Sequence, residues 1–137
     1  MSNASPHRLS IRIYYEDTDF SGVVYHASYL RFLERGRTET LRALGIDQAA
    51  LYGEGGKGAL SFAVRRMAIE WLKPARMDDL VTVETRIGAI KGASLVLEQK
   101  IFLEDETLLT AEVLVALVAD GRAARLPPEL RAKLAPN

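Results

Sequence analysis

Near the start of the chain Leu9, Ile11, Ile13 and Tyr15 alternate with Ser10, Arg12 and Tyr14. A period of two is that of a half-buried strand, so this stretch predicts strand one. From about His26 to Leu44, Tyr29, Leu30, Phe32, Leu33, Leu41 and Leu44 recur among charged residues, which predicts the main helix, and Gly45 supplies its C-terminal stop. Gly36 in the middle of that helix costs about 1 kcal/mol against alanine, so its presence predicts close approach of a sheet.

Beyond the helix, Gly53 to Gly58 reads as a flexible connection, since its glycines lack the strand-to-helix context of a nucleotide fingerprint. Phe62 and Val64 share one parity while Met67, Ile69 and Trp71 share the other. The strand they belong to is therefore expected to carry a one-residue irregularity around Arg65-Arg66 and to end at Lys73-Pro74. Val81, Val83 and Ile87 predict a third strand, Leu95, Leu97, Ile101 and Leu103 a fourth, and Leu109 to Val118 a fifth. Ile90-Lys91-Gly92 and Glu104-Asp105-Glu106 are short enough to be hairpin connections. The fifth strand is almost continuously apolar, as expected of a strand that is central or covered on both faces. Pro127-Pro128-Glu129-Leu130 predicts a short terminal helix. A strand, a helix and four antiparallel strands make an α+β layer, with the helix on one face of a single curved sheet.

At 137 residues and 48% hydrophobic, the chain reads as one domain from about residue 8 to 137, after a tail or expression scar over residues 1–7. Eighteen basic and eighteen acidic residues are interspersed, so no broad field of one sign is available for nucleic acid or an anionic membrane. The lack of cysteine removes disulfides and thiolate chemistry and fits a reducing cytoplasm. No apolar run approaches the roughly 20 residues of a membrane span.

The densest chemistry lies in Tyr14-Tyr15-Glu16-Asp17-Thr18-Asp19-Phe20-Ser21-Gly22-Val23-Val24-Tyr25-His26, an acid-rich turn directly before a helix start. A helix N-terminus carries unpaired N–H groups and partial positive charge, so it can polarise a carbonyl that a neighbouring carboxylate attacks or delivers water to. That is an acyl-transfer layout. Read from the residues alone, Asp19 is more often a turn former or helix cap than a catalyst, Asp17 is a turn-fixing residue, and His26 is more often a surface or core histidine. Glu16, Asp17, Asp19 and His26 could suggest a divalent metal, but the three carboxylates fall within four residues and lack the glycine spacing of a calcium loop. No Gly-x-Ser-x-Gly is present.

The acid-rich turn, then Gly22-Val23-Val24-Tyr25-His26-Ala27-Ser28-Tyr29, Glu34-Arg35-Gly36-Arg37-Thr38-Glu39, Phe62-Ala63-Val64-Arg65-Arg66-Met67 and Lys73-Pro74-Ala75-Arg76, resembles the 4-hydroxybenzoyl-CoA thioesterase family of hotdog proteins. Within that family the resemblance is to the Tol-Pal-associated acyl-CoA thioesterases. It implies a hotdog fold and hydrolysis of an acyl-CoA thioester without metal or redox cofactor. It gives Asp19 the role of nucleophile or general base and sets His26 at the thioester oxygen, with Tyr15, Gly22 and Val23 at the substrate. Tyr15 has a second reading, as an inward core tyrosine of strand one. The resemblance also implies a homodimer or a dimer-of-dimers tetramer. Coenzyme A phosphates would need basic groups, for which Arg65, Arg66, Lys73, Arg76, Lys91 and Arg122 are candidates, and acyl carrier protein is a possible alternative carrier. Two rival readings are a hotdog dehydratase of 3-hydroxyacyl thioesters and a non-enzymatic acyl-binding or scaffold protein of the cell envelope.

Overall fold

The computed structural model describes residues 5–135. In chain order its elements are β1 (His7–Arg12), a single 3-10 turn (Tyr15–Asp17), α1 (His26–Ala43), α2 (Gln48–Tyr52), β2 (Ser61–Trp71), β3 (Leu80–Ile90), β4 (Ser94–Leu103), β5 (Glu106–Ala119), β6 (Arg122–Ala123) and α3 (Pro128–Leu134). The strands form one sheet in the order β1-β3-β4-β5-β2, with β6 folded back on the end of β5. Every pairing is antiparallel.

The long helix lies on one face of this sheet, packed chiefly over β1 and β3. Ser28, Tyr29, Phe32, Leu33, Gly36, Arg37, Thr40 and Leu41 form its buried stripe. Three- and four-residue steps keep such positions on one helical face. Opposite them, Val81, Val83, Leu95, Leu97, Ile101, Val113 and Leu117 are almost wholly buried. A helix cradled by one antiparallel sheet is the α+β layer that the sequence pattern predicts and the hotdog arrangement that the resemblance implies.

Gly36 is where helix and sheet come closest. A Cβ there would stand 2.6 Å from Val83 Cγ1 and 3.1 Å from both Gln99 Nε2 and Thr85 Oγ1. Glycine accordingly gives up helix propensity to let the sheet approach. The other expected features are present at small offsets. The register of β2 against β5 shifts between Val64 and Arg66, and β5 lies between β4 and β2. Leu44 caps α1 and Gly45 follows it at φ +82°.

Three features depart from the sequence reading. Strand one ends at Arg12, and Tyr15 lies in the 3-10 turn with 80% of its surface exposed, so it is not an inward core tyrosine. The chain turns because Asp17 captures the Tyr14 N–H at 2.8 Å, and the strand ends three residues early. Second, the reading passes over α2 and β6, each too short to show a period. Third, the tail expected over residues 1–7 lies outside the described residues as far as Ala4, whereas His7 already pairs with Thr85.

Candidate active site

The acid-rich segment is a folded hinge between β1 and α1, and Asp17 organises it. Its Oδ2 accepts the Tyr14 N–H at 2.8 Å, and its carbonyl accepts the Tyr25 N–H at 2.9 Å and the Ser28 hydroxyl at 3.1 Å. One residue thus ties the end of β1 to the first turn of α1. Arg31 Nη2 stands 3.8 Å from the Asp17 carboxylate, which is itself buried.

Between Thr18 and Val24, which form an isolated antiparallel bridge, the chain makes a tight turn. The Asp19 N–H donates to the Val23 carbonyl at 2.8 Å, and the Gly22 N–H donates to the Asp19 carbonyl at 3.1 Å. Gly22 sits at φ +87°, in the region that favours glycine, so this position of the motif is conformational. A second bridge, Val23 with Arg76, and the Val24 N–H to Ala75 carbonyl bond of 2.9 Å seat the turn on the segment after β2. The Ala75 N–H in turn donates to the Tyr29 hydroxyl at 2.9 Å.

Asp19 projects from this turn and is exposed. Its Oδ1 accepts both the Ser21 N–H at 2.8 Å and the Ser21 hydroxyl at 2.6 Å. The Ser21 hydroxyl chiefly, with the backbone of Ser21 and Val23 and the nearby charge of His26, holds the carboxyl below its ordinary value against a smaller opposing effect of burial. Hydrogen bonds to the charged form favour that form. Asp19 is therefore a carboxylate at neutral pH, with Oδ2 unengaged among the described residues.

His26 is the first residue of α1, where the backbone N–H has no carbonyl of its own helix to bond. Its ring packs edge-to-face on Trp71 at a centroid distance of 5.1 Å and meets the Tyr25 ring at 6.3 Å. Trp71 also contacts Tyr29 at 5.4 Å. The end of β2 therefore fixes the imidazole beside the helix start. Asp19, Gly22, Val23 and His26 lie together, whereas no hydrogen bond joins the Tyr15 side chain to Asp19 or His26 among the described residues. Tyr15 lines a shallow depression with Tyr14, Glu16, Met77 and Asp78. Sequence reasoning missed Ser21 and Trp71. A serine two places after an aspartate is itself a turn signal, whereas Trp71 comes to His26 only through the fold.

The surroundings are open and apolar. Phe20 is fully exposed at the tip of the turn, and Tyr25, Trp71, Leu72 and Met77 are each about half exposed. β2 is an edge strand, paired on one side only, to β5. All six basic candidates for phosphate contact are exposed. Lys73 pairs with Glu106, and Arg76 lies beside the turn through its bridge to Val23. Among the described residues no three acidic or histidine side chains converge in a way suited to a metal ion, and no helix is long and apolar enough to cross a membrane.

Comparison with known proteins bears on this geometry. The family model of the thioesterase superfamily matches residues 21–110. The acyl-CoA thioester hydrolase YbgC of Escherichia coli O6:H1 is 48% identical over 117 residues, covering 85% of this chain and 84% of that protein. The acyl-CoA thioesterase YbgC of Haemophilus influenzae is 44% identical over 124 residues, covering 89% of each. Among solved structures, a probable thioesterase from Bartonella henselae superposes with a TM-score of 0.84 at 46% identity, covering 90% of this chain and 100% of that one. The hotdog sheet around α1, the length of these matches and the family model together establish that this chain belongs to the thioesterase superfamily.

Proposed function

We propose that the protein hydrolyses acyl-CoA thioesters to a free carboxylic acid and coenzyme A, with Asp19 as nucleophile or general base. The observation that carries this reading is an ionised, exposed carboxylate with one free oxygen beside the open N-terminus of α1. A thioester carbonyl set against the His26 N–H would have its developing negative charge stabilised by that donor and the helix dipole. Asp19 would attack the carbonyl carbon or take a proton from the attacking water. The thiolate leaving group is good enough that no metal is needed to expel it. The imidazole of His26 would orient substrate or water, and Gly22 and Val23 would line the approach. Tyr15 stays a substrate-side proposal from the resemblance, in keeping with its exposure on the same hinge. The names of the Escherichia and Haemophilus relatives support coenzyme A as carrier; acyl carrier protein is the second carrier to test. A cytoplasmic location and an association with the Tol-Pal system belong to the same reading and rest on the sequence resemblance.

The assembly belongs to it as well. An edge strand bearing Val64 and Trp71, next to exposed Phe20, Tyr25 and Leu72, is surface that a monomer would leave open to self-association. A two-fold dimer, alone or paired into a tetramer, would cover it and place the partner's residues opposite Asp19 and His26. A hydrolysis screen across acyl-CoA, aryl-CoA and acyl carrier protein thioesters tests the chemistry, and light scattering at micromolar concentration tests the assembly. Turnover of coenzyme A thioesters by a dimer or tetramer is expected. Failure to cleave any thioester, or full activity as a monomer, would contradict the respective part.

A further inference from the structure

The turn that carries Asp19 and the start of α1 are both held to one residue, Ala75, which is wholly buried. Its carbonyl accepts the Val24 N–H at 2.9 Å, and its N–H donates to the Tyr29 hydroxyl at 2.9 Å. Val24 belongs to the Asp19 turn through its bridge to Thr18. Tyr29 stands three residues beyond His26 on α1. The segment that carries Ala75 is itself anchored to β5, because the N–H groups of Leu72 and Lys73 both donate to the Leu108 carbonyl, at 2.9 and 3.0 Å.

Tyr29 reaches the site by two routes. Its ring meets Trp71 at 5.4 Å, and Trp71 in turn meets the His26 ring at 5.1 Å. Its hydroxyl reaches the Asp19 turn through Ala75. Among the described residues no other group accepts the Ala75 N–H. Burial pushes the Tyr29 phenol above its ordinary value, so at neutral pH the side chain is uncharged and is no base. What it offers the site is a fixed acceptor on a side chain only 4% exposed.

We infer that Tyr29 is a positioning residue, whose hydroxyl sets, through Ala75, where the Asp19 carboxylate stands relative to the N-terminus of α1. This rests on the thioesterase reading and adds a residue to it. A buried N–H left without an acceptor is costly, so loss of the hydroxyl drives the Ala75 segment to find another partner. Val24 and the Asp19 turn move with that segment, since its carbonyl holds them. A displacement of about 1 Å between reacting groups is enough to cost up to about a hundredfold in rate.

The test compares Tyr29→Phe, which keeps the ring and its Trp71 contact, with the wild type on whichever of propionyl-, octanoyl- and benzoyl-CoA the wild type cleaves fastest. In Tyr29→Phe kcat should fall roughly tenfold or more while KM stays within about twofold. In an Asp19→Asn background the same substitution should cost no further turnover, because the carboxylate it positions is already gone. Leu134→Ala, which opens the core beside the far end of α1, is the control for lowered stability and should keep the wild-type kcat. The inference is overturned by an unchanged kcat in Tyr29→Phe, by an equal further loss in the Asp19→Asn background, or by a loss in Leu134→Ala as large as that in Tyr29→Phe. Each of these results leaves the thioesterase reading standing, whereas a wild type that cleaves none of the three esters overturns both. If Tyr29→Phe does not fold, hydrogen exchange of the wild type decides: an Ala75 N–H that exchanges as slowly as that of Leu33 in α1 supports the tether, and a faster one overturns it.

Discussion

Ser21 holds Asp19 through one carboxylate oxygen: its N–H and its hydroxyl both donate to Oδ1, at 2.8 and 2.6 Å, and leave Oδ2 free. The same serine thereby orients the carboxylate and lowers the pH at which it takes up a proton. An Asp whose folded pKa is depressed is charged above that pKa and protonated below it, so activity that depends on the carboxylate is kept at neutral pH and lost as pH falls. In Ser21→Ala the hydroxyl donor is gone and the Asp19 pKa rises. The acid limb of the kcat/KM profile should therefore move to higher pH than in the wild type. Superimposable acid limbs would show that the Ser21 hydroxyl does not govern the ionisation that matters.

Asp17 and Asp19, two residues apart, do different work. Because Asp17 is buried and satisfies the Tyr14 N–H, Asp17→Ala should lower stability by about 1–3 kcal/mol, read by urea denaturation. Asp19→Ala, at an exposed position, should change it little. Equal losses in the two variants would contradict this division.

The Trp71 contact makes a prediction about positioning. If Trp71 acts by fixing the His26 ring, Trp71→Ala lowers turnover by about tenfold, and the double variant with His26→Ala is no slower than His26→Ala alone. Independent, additive losses would give Trp71 some other role. His26→Ala itself should cost less than loss of the Asp19 carboxylate, since the backbone donor at the helix start survives.

Gly36→Ala opposes two effects of known sign. Alanine raises helix propensity by about 1 kcal/mol, while its Cβ would enter the space of Val83 Cγ1 at 2.6 Å, and overpacking of this kind costs about 1–3 kcal/mol. The net expectation is a lower melting temperature. A higher one would mean that the sheet yields more easily than its packing implies.

The pattern of the chain carried most of the fold because each long element has a period that burial enforces. The Leu9 to Ile13 alternation, the stripe from Tyr29 to Leu41 and the parity change at Arg65-Arg66 all reappear as buried faces or a register shift. Tyr15 misled because alternation continues past the residue at which Asp17 bends the backbone, and a period of two says nothing about where a side chain will cap a turn. The place of Asp19 and His26 at a helix start was legible from the turn residues before them. Their partners were less so. Ser21 was visible only as local turn chemistry, and Trp71 and Gln99 reach α1 through strand pairings that span much of the chain. No local pattern in the sequence records such contacts.

The most direct measurement is the turnover of Asp19→Asn on the best thioester substrate, made on protein whose melting temperature and oligomeric state match the wild type. The amide keeps nearly the shape of the carboxylate and removes its charge and basicity, so turnover should fall by at least about a hundredfold. Turnover equal to that of the wild type would contradict Asp19 as the reacting carboxylate.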